Sequence, residues 1–185
     1  MINLETERLV IRNLLAEDWQ RLLEIAIQAE TSEYWAYDYP WPTTEEEIKR
    51  IASDLAGNDG FIAVCLKSTA EFIGFISLTR NEQADGVEYD LGYRFHAAYH
   101  GRGYATEGCR AVLDYAFDAL AADRVTSGTA EANLPSRRLQ QRLGFRKTGE
   151  SVVSFRNTPE GEPIEFIGYS FEITREEWQK RKREG

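Results

Sequence analysis

Apolar residues along the chain change their period several times, and each change predicts an element. From Leu4 to Asn13 apolar and charged residues mix, with Leu9 and Ile11 on one face and Arg8, Val10 and Arg12 on the other, the pattern of an edge strand. Trp19, Leu22, Leu23, Ala26 and Ile27 then recur at helical spacing between Glu17 and Glu30. An aromatic segment, Tyr34 to Pro42, follows. Thr44 with Glu47 reads as a capping box opening a second helix, which Ile48, Ile51 and Leu55 carry until Gly57 stops it. Two short apolar runs, Phe61 to Leu66 and Phe72 to Thr79, are separated by Lys67 to Glu71, a spacing suited to an antiparallel hairpin. After the turn signal Asp85-Gly86, Val87, Tyr89, Leu91 and Tyr93 alternate with Glu88, Asp90, Gly92 and Arg94, which predicts a central strand.

From Gly103 the period shifts from two to about 3.6, and Ala105, Cys109, Val112, Leu113, Ala116, Phe117 and Leu120 form the stripe of a helix. Arg124 to Ala132 reads as another strand. Pro135 to Leu143 reads as a helix with a first-turn proline and Gly144 as its C-terminal stop. Phe145 to Phe155 and Ile164 to Ile173 are two further strands flanking a turn-rich stretch. The resulting order is strand, two helices, three strands, helix, strand, helix, two strands and a short end helix. That order predicts an α/β fold, a mixed, mostly antiparallel sheet of about seven strands with helices on both faces. No repeat or linker-like stretch interrupts it, so residues 1–185 are expected to form a single domain.

Composition narrows the function classes. A hydrophobic fraction of 42% supplies a core, and no apolar run approaches the ~18 residues of a membrane span. The opening residues Met1 to Glu5 lack the basic-then-apolar layout of a secretory leader, so a cytoplasmic protein without membrane partners is expected. A formal charge of -9 argues against a general nucleic-acid binder, which needs a basic footprint on phosphates. Cys65 and Cys109 sit in apolar-patterned segments without CxxC or Cys/His clustering, so buried thiols and no metal are expected.

The candidate chemistry lies where strand gives way to helix, at His100-Gly101-Arg102-Gly103-Tyr104-Ala105-Thr106. Glycines let the backbone turn there, and a helix N-terminus leaves about four amides unpaired at a positive dipole end, a natural seat for phosphate. A P-loop needs Gly-Lys-Ser/Thr at the helix start, and that triplet is absent. A dinucleotide fingerprint fits in part, through Gly101, Gly103 and Asp123 about 20 residues on. However, Thr106 occupies its third glycine position, and antiparallel strands precede the loop where a parallel unit is wanted.

These residues resemble the signature of the GNAT acetyltransferase superfamily, Gln/Arg-x-x-Gly-x-Gly/Ala, with histidine at its first position. Asp90-Leu91-Gly92-Tyr93 before the loop, and Asn133-Leu134-Pro135-Ser136 and Arg142-Leu143-Gly144-Phe145 after it, extend the likeness. The layout from Thr6-Glu7-Arg8-Leu9 to Glu176-Glu177-Trp178 is similar to the RimJ/RimL branch, named for ribosomal-protein N-terminal acetylation. The resemblance implies acetyl-CoA as co-substrate, its pyrophosphate on the amides of Gly101, Arg102, Gly103, Tyr104, Ala105 and Thr106. It implies pantetheine between splayed strands, the fourth and fifth, and a thioester polarised by an amide near Phe95. His100 is a phosphate contact or an unassigned loop residue, and Asn133 a cofactor contact or a helix cap.

The implied activity is transfer of the acetyl group to a primary amine, a protein N-terminus or a small molecule, by direct attack. The alternative is an acyl-CoA-binding module without turnover. Transfer asks for a base, and Asp90 and Glu88 are the candidates, each also readable as a solvent-facing or ion-paired acid. In many relatives a tyrosine proton donor stands at the position of Gln140, which cannot supply that proton, so Ser136 is the candidate donor or hydrogen-bond partner of the thiol, or else a capping residue. Glu33, Tyr34, Trp35 and Asp38, in the stretch where this family builds its acceptor site, are expected to hold a cationic amine, core or lid packing being the other role of the rings. A homodimer is compatible with this reading.

Overall fold

The computed structural model describes residues 2–184. Leu4 to Asn13 is not one strand but a hairpin, β1 (Asn3–Glu5) against β2 (Leu9–Asn13). The polar run between them turns because the Thr6 amide donates to the Leu9 carbonyl at 3.0 Å and the Thr6 hydroxyl accepts the Leu9 amide at 3.0 Å. The sheet therefore has eight strands rather than about seven.

The remaining elements follow the predicted order: α1 (Trp19–Glu30), α2 (Glu45–Leu55), β3 (Phe61–Leu66), β4 (Phe72–Arg80), β5 (Glu88–Phe95), α3 (Tyr104–Asp118), β6 (Arg124–Ala130), α4 (Leu134–Leu143), β7 (Arg146–Asn157), β8 (Pro163–Thr174) and α5 (Arg175–Glu184). Thr44 caps α2 as its sequence implies, accepting the Glu47 amide. Strand order is β1-β2-β3-β4-β5-β6-β8-β7, and every neighbouring pair is antiparallel except β5 with β6.

Alternation along the strands divides the core. Leu9, Ile11, Ile62, Val64, Ile76 and Leu91 turn to the face covered by α3, where Val112, Leu113 and Phe117 are fully buried. Trp178 of α5 stacks on Phe117 there, with centroids 6.1 Å apart. On the opposite face Ala63, Cys65, Phe72 and Phe75 meet Leu22, Ile25 and Ala26 of α1 and Ile48 and Ala52 of α2. Burying each large side chain contributes about 1.5–3 kcal/mol, so the two clusters fix the helices to the sheet from both sides.

One local failure of pairing matters most. The strands β5 and β6 pair only at Glu88 with Arg124, Tyr89 with Val125 and Asp90 with Thr126, while β5 stays on β4 as far as Phe95 and β6 stays on β8 as far as Ala130. Beyond Asp90 the two strands diverge, and a wedge opens in the middle of the sheet. Among the described residues no helix is long and apolar enough to cross a membrane.

Candidate active site

The wedge exposes a particular set of backbone groups. The His96 amide donates to the Ile73 carbonyl at 2.9 Å and the Asn81 amide to the Glu88 carbonyl at 2.9 Å, so the even-numbered positions of β5 bond toward β4. Antiparallel alternation then turns the amides of Tyr93 and Phe95 toward the wedge. Of the carbonyls on that edge, Leu91 accepts the Ser127 hydroxyl at 2.7 Å and Phe95 accepts Nε2 of His100 at 2.8 Å. His100 is thereby tied to the strand end, a role in shaping the loop that neither sequence reading assigned to it.

The wedge leads to the start of α3. Gly101 and Gly103 adopt φ of 74° and 82°, the left-handed region that an L side chain enters at roughly 1 kcal/mol or more. Gly103 is the N-cap and offers no side chain, so the first-turn amides of α3 are left open at the positive end of the helix. A cleft of about 500 Å³ lies over them, lined by Phe95, His100, Gly101, Gly103, Ala105 and Thr106 together with Tyr99, Glu107, Arg110 and Arg142. Neither Arg110 nor Arg142 was given a site role from the sequence, although Arg142 opens one of the motifs that carry the family likeness. Arg142 reaches the Thr106 hydroxyl from α4 with its Nε at 3.3 Å, a pairing across two helices that only the fold creates.

Behind the loop, Arg8 in the β1–β2 turn braces it. Its Nη1 donates to the Arg102 carbonyl at 3.0 Å, its Nε to Glu107 at 2.7 Å, and its guanidinium lies 4.5 Å from the centre of the Tyr104 ring. Partial burial alone would raise the Glu107 carboxyl, but hydrogen bonds from Thr6 and Arg8 hold it below its ordinary value. Arg102 and Tyr104 contribute no lining to the cleft, and the Arg102 guanidinium lies 5.8 Å from the Tyr99 ring centre.

At the apex of the wedge, the Tyr93 and Ser136 hydroxyls are 2.8 Å apart. Gln140, fully buried on α4, donates its Nε2 to Ser127 Oγ at 2.6 Å and approaches Tyr93 Oη at 3.4 Å. Asn133 is the N-cap of α4, accepting the Ser136 amide at 3.2 Å, so the capping role falls to Asn133 and the Ser136 hydroxyl is free for Tyr93. Burial pushes the Tyr93 phenol far up, and it stays neutral at physiological pH. Tyr93 reads in sequence as one more apolar position of β5, which is why its hydroxyl was not singled out.

The two candidate bases differ sharply. Glu88 is bound by Arg124 and by Asn81, whose Nδ2 donates at 2.7 Å, and these bonds, Asn81 first, hold its carboxyl below the ordinary range. It is the ion-paired acid of the bland reading. Asp90 has only the Thr126 hydroxyl, at 3.4 Å. The residue is exposed, yet desolvation of its carboxylate raises its pKa, with the like charge of Glu88 adding to the shift.

The aromatic segment between α1 and α2 lies against the far end of the β7–β8 hairpin. Tyr37 packs on Phe166 with centroids 5.1 Å apart, Tyr39 on Phe155 at 4.3 Å and Trp41 on Phe75 at 5.5 Å. Two arginines occupy the faces expected to hold a substrate cation: Arg156 lies 5.3 Å from the Trp35 ring centre and Arg94 5.5 Å from that of Trp41. Asp38 is ion-paired with Arg94. Glu33 is exposed, and Tyr34, half-buried beside it, has its phenol raised by desolvation and by that carboxylate. Among the described residues no cluster of His, Cys, Asp or Glu is placed to hold a metal ion.

An uncapped helix start, a splayed parallel pair and a glycine-bearing loop thus meet at one cleft. Residues 8–146 match the family model described as acetyltransferase (GNAT) domain. The chain belongs to the GNAT family of acetyltransferases. It is 27% identical over 178 residues to the uncharacterized N-acetyltransferase YnaD of Bacillus subtilis, covering 96% of this chain and 99% of that protein. It is also 27% identical over 192 residues to the FsC-acetyl coenzyme A-N(2)-transacetylase of Aspergillus fumigatus, covering 97% and 79%. Its fold matches a GNAT-family acetyltransferase from Bacillus anthracis with a TM-score of 0.79 at 24% identity, over 95% of this chain and 99% of that one. It also matches the ribosomal-protein-S5-alanine acetyltransferase from Vibrio fischeri at 0.77 and 17%, over 96% and 99%. The RimJ/RimL-like placement agrees with the name of the putative ribosomal N-acetyltransferase YdaF of Bacillus subtilis, to which the chain is 29% identical over 154 residues, covering 78% of this chain and 81% of that protein.

Proposed function

We propose that the protein transfers the acetyl group of acetyl-CoA to a primary amine by direct attack within a ternary complex. The observation that carries this reading is the continuity of the wedge. Open amides at the start of α3, unpaired amides on β5 and the Tyr93–Ser136 hydroxyl pair lie along one path. The donor set suits the group: helix-start amides and Arg142 for phosphate, and strand-edge amides for the amides of a pantetheine arm.

Acetyl-CoA supplies an activated acyl group; the chain supplies position and protons. Of its own residues, Gly101, Gly103, Ala105, Thr106 and Arg142 hold the phosphates. The Phe95 amide is turned to polarise a carbonyl. Asp90, the carboxylate with a raised pKa and a nearly free set of lone pairs, takes the proton from the incoming ammonium through water. The carbon–nitrogen bond then forms as the carbon–sulfur bond breaks, and the second proton shed by the nitrogen passes to the departing thiolate to give the free thiol. The Ser136 hydroxyl hydrogen-bonds the departing sulfur, which is a good leaving group because its conjugate acid has a pKa near 8.5. Tyr93 holds that hydroxyl in place.

Titration calorimetry with CoA, NAD and ATP, followed by thiol-release assays over an amine panel, tests the reading. Binding of CoA alone with thiol release in the presence of an amine is expected. CoA binding with no release across the panel would favour the non-catalytic acyl-CoA module, and NAD binding without CoA binding would remove the assignment.

A further inference from the structure

Arg94 is incompletely satisfied. Its side chain is 16% exposed, and among the described residues its Nη1 is buried without a hydrogen-bond partner. The other arm, Nη2, is held by Asp38, whose side chain is 53% exposed on the segment between α1 and α2. Asp38 does not serve both nitrogens, because its Oδ1 already accepts the Tyr39 amide at 3.0 Å and only Oδ2 faces the arginine. Glu30 does not fill the vacancy either. Its two oxygens accept Nη1 and Nη2 of Arg156 at 2.7 Å each, and Oε1 also accepts the Trp41 amide at 2.9 Å. The Trp41 ring offers Arg94 a π face and no acceptor atom. A buried donor without an acceptor is destabilising, and a planar carboxylate matches both arms of a guanidinium.

Position gives this vacancy a meaning. Arg94 and Asp90 share one face of β5, four residues apart and therefore roughly 13 Å apart along the strand, with only Gly92 between them on that face. The face looks toward the aromatic segment, outside the wedge through which the thioester would lie. We infer that Arg94 is the carboxylate-binding subsite of the acceptor cleft: the acceptor is a primary amine that also carries a carboxylate, which takes both arms of Arg94 and displaces Asp38, leaving the amine directed toward Asp90. Asp38 is the displaceable partner because it is the exposed member of the pair, whereas the buried guanidinium requires a counter-charge. The cationic preference expected from Glu33 and Asp38 is then reversed, since the cation Asp38 holds is the protein's own. A free amino acid and an acidic residue close to a peptide N-terminus present the same chemistry.

The inference rests on the transferase reading for the fate of the amine, but not for capture of the carboxylate. Its first test is therefore made without CoA. Thermal melting of the whole protein is measured with a panel of α-amino acids, short peptides bearing Asp at the second position, and the amide counterpart of each. At least one acid is expected to raise Tm where its amide does not, and the arm that responds identifies the source. Arg94→Gln is expected to abolish the difference, Arg94→Lys to weaken binding of the acid about tenfold or more through loss of the fork, and Asp38→Asn to strengthen it. Calorimetry with CoA on each variant reports an intact fold and is expected to be unchanged. Equal responses to acids and amides across the panel, or an acid preference that survives Arg94→Gln, would overturn the inference and leave Arg94 a clamp on the segment. Acid-specific stabilisation in a protein that neither binds CoA nor releases thiol would instead overturn the transferase reading and leave the subsite standing.

Discussion

The Tyr93 hydroxyl stands 2.8 Å from that of Ser136, so a phenol rooted in β5 meets the first turn of α4 at the apex of the wedge. In many GNAT relatives the phenol near the departing sulfur comes from the position of Gln140. Here Gln140 approaches that same phenol at 3.4 Å from the other side and is held by Ser127.

The first prediction follows from that contact. Ser136→Ala is expected to lower kcat by about tenfold or less, because the thiolate leaves readily. Tyr93→Phe is expected to act through Ser136, so the double variant should lose little more than Ser136→Ala alone. Losses that multiply in the double-mutant cycle would mean the two hydroxyls act separately.

Asp90 gives a prediction in both rate and stability. As the base it must be ionised, so the rate should climb as pH rises through its raised pKa, and Asp90→Asn should cost roughly 10²-fold and remove that limb. For stability the sign is the reverse of a salt-bridged acid. The native state binds the proton more tightly than the unfolded chain, so ionising Asp90 weakens the fold as pH rises from the ordinary aspartate pKa through the raised one. Asp90→Asn should therefore raise Tm near neutrality, and the gain should fade below about pH 4. An unchanged pH–rate profile would move the base elsewhere.

At the cofactor end, Arg142→Ala should weaken CoA binding about tenfold and flatten its salt dependence, both read by calorimetry at two ionic strengths. Gly103→Glu should abolish binding and also lower Tm, because φ is 82° there and a Cβ would lie 3.3 Å from the Arg8 guanidinium. Gly103→Asn tolerates the left-handed backbone better and should recover most of the lost Tm. Equal melting temperatures for the two variants would show that strain is not the cause.

Neither cysteine should react in the native protein. Cys109 is fully buried on the inner face of α3, and desolvation pushes its thiol far up; Cys65 is buried on the other face of the sheet and is raised for the same reason. Iodoacetamide followed by mass spectrometry should find both unmodified until denaturant is added, and modification of either in the folded state would contradict this packing.

The sequence by itself determined the elements, because period, caps and glycine stops are local. The switch at Gly103 from alternation to helical spacing, the Thr44–Glu47 box and Gly144 each set a boundary within a few residues of where it lies. The uncapped helix start at Gly103 was legible for the same reason, since it is a property of neighbouring residues. The extra hairpin at Thr6 escaped because a four-residue polar stretch inside an alternating run reads equally as strand surface.

Tertiary structure alone decided which candidate groups are free. Glu88 and Asp90 are equivalent in sequence, two acids on one face of one strand. Arg124 and Asn81 bind the first, while the second keeps no charged partner among the described residues and is raised by desolvation. Tyr93 acquired its role from a helix that begins some forty residues later, with Ser136 43 positions along the chain. Arg94 was left with a buried, unpartnered arm while Asp38 gives one oxygen to its own backbone neighbour. Charge balance and desolvation depend on distances between residues far apart in the chain, and a one-dimensional pattern carries no such distances.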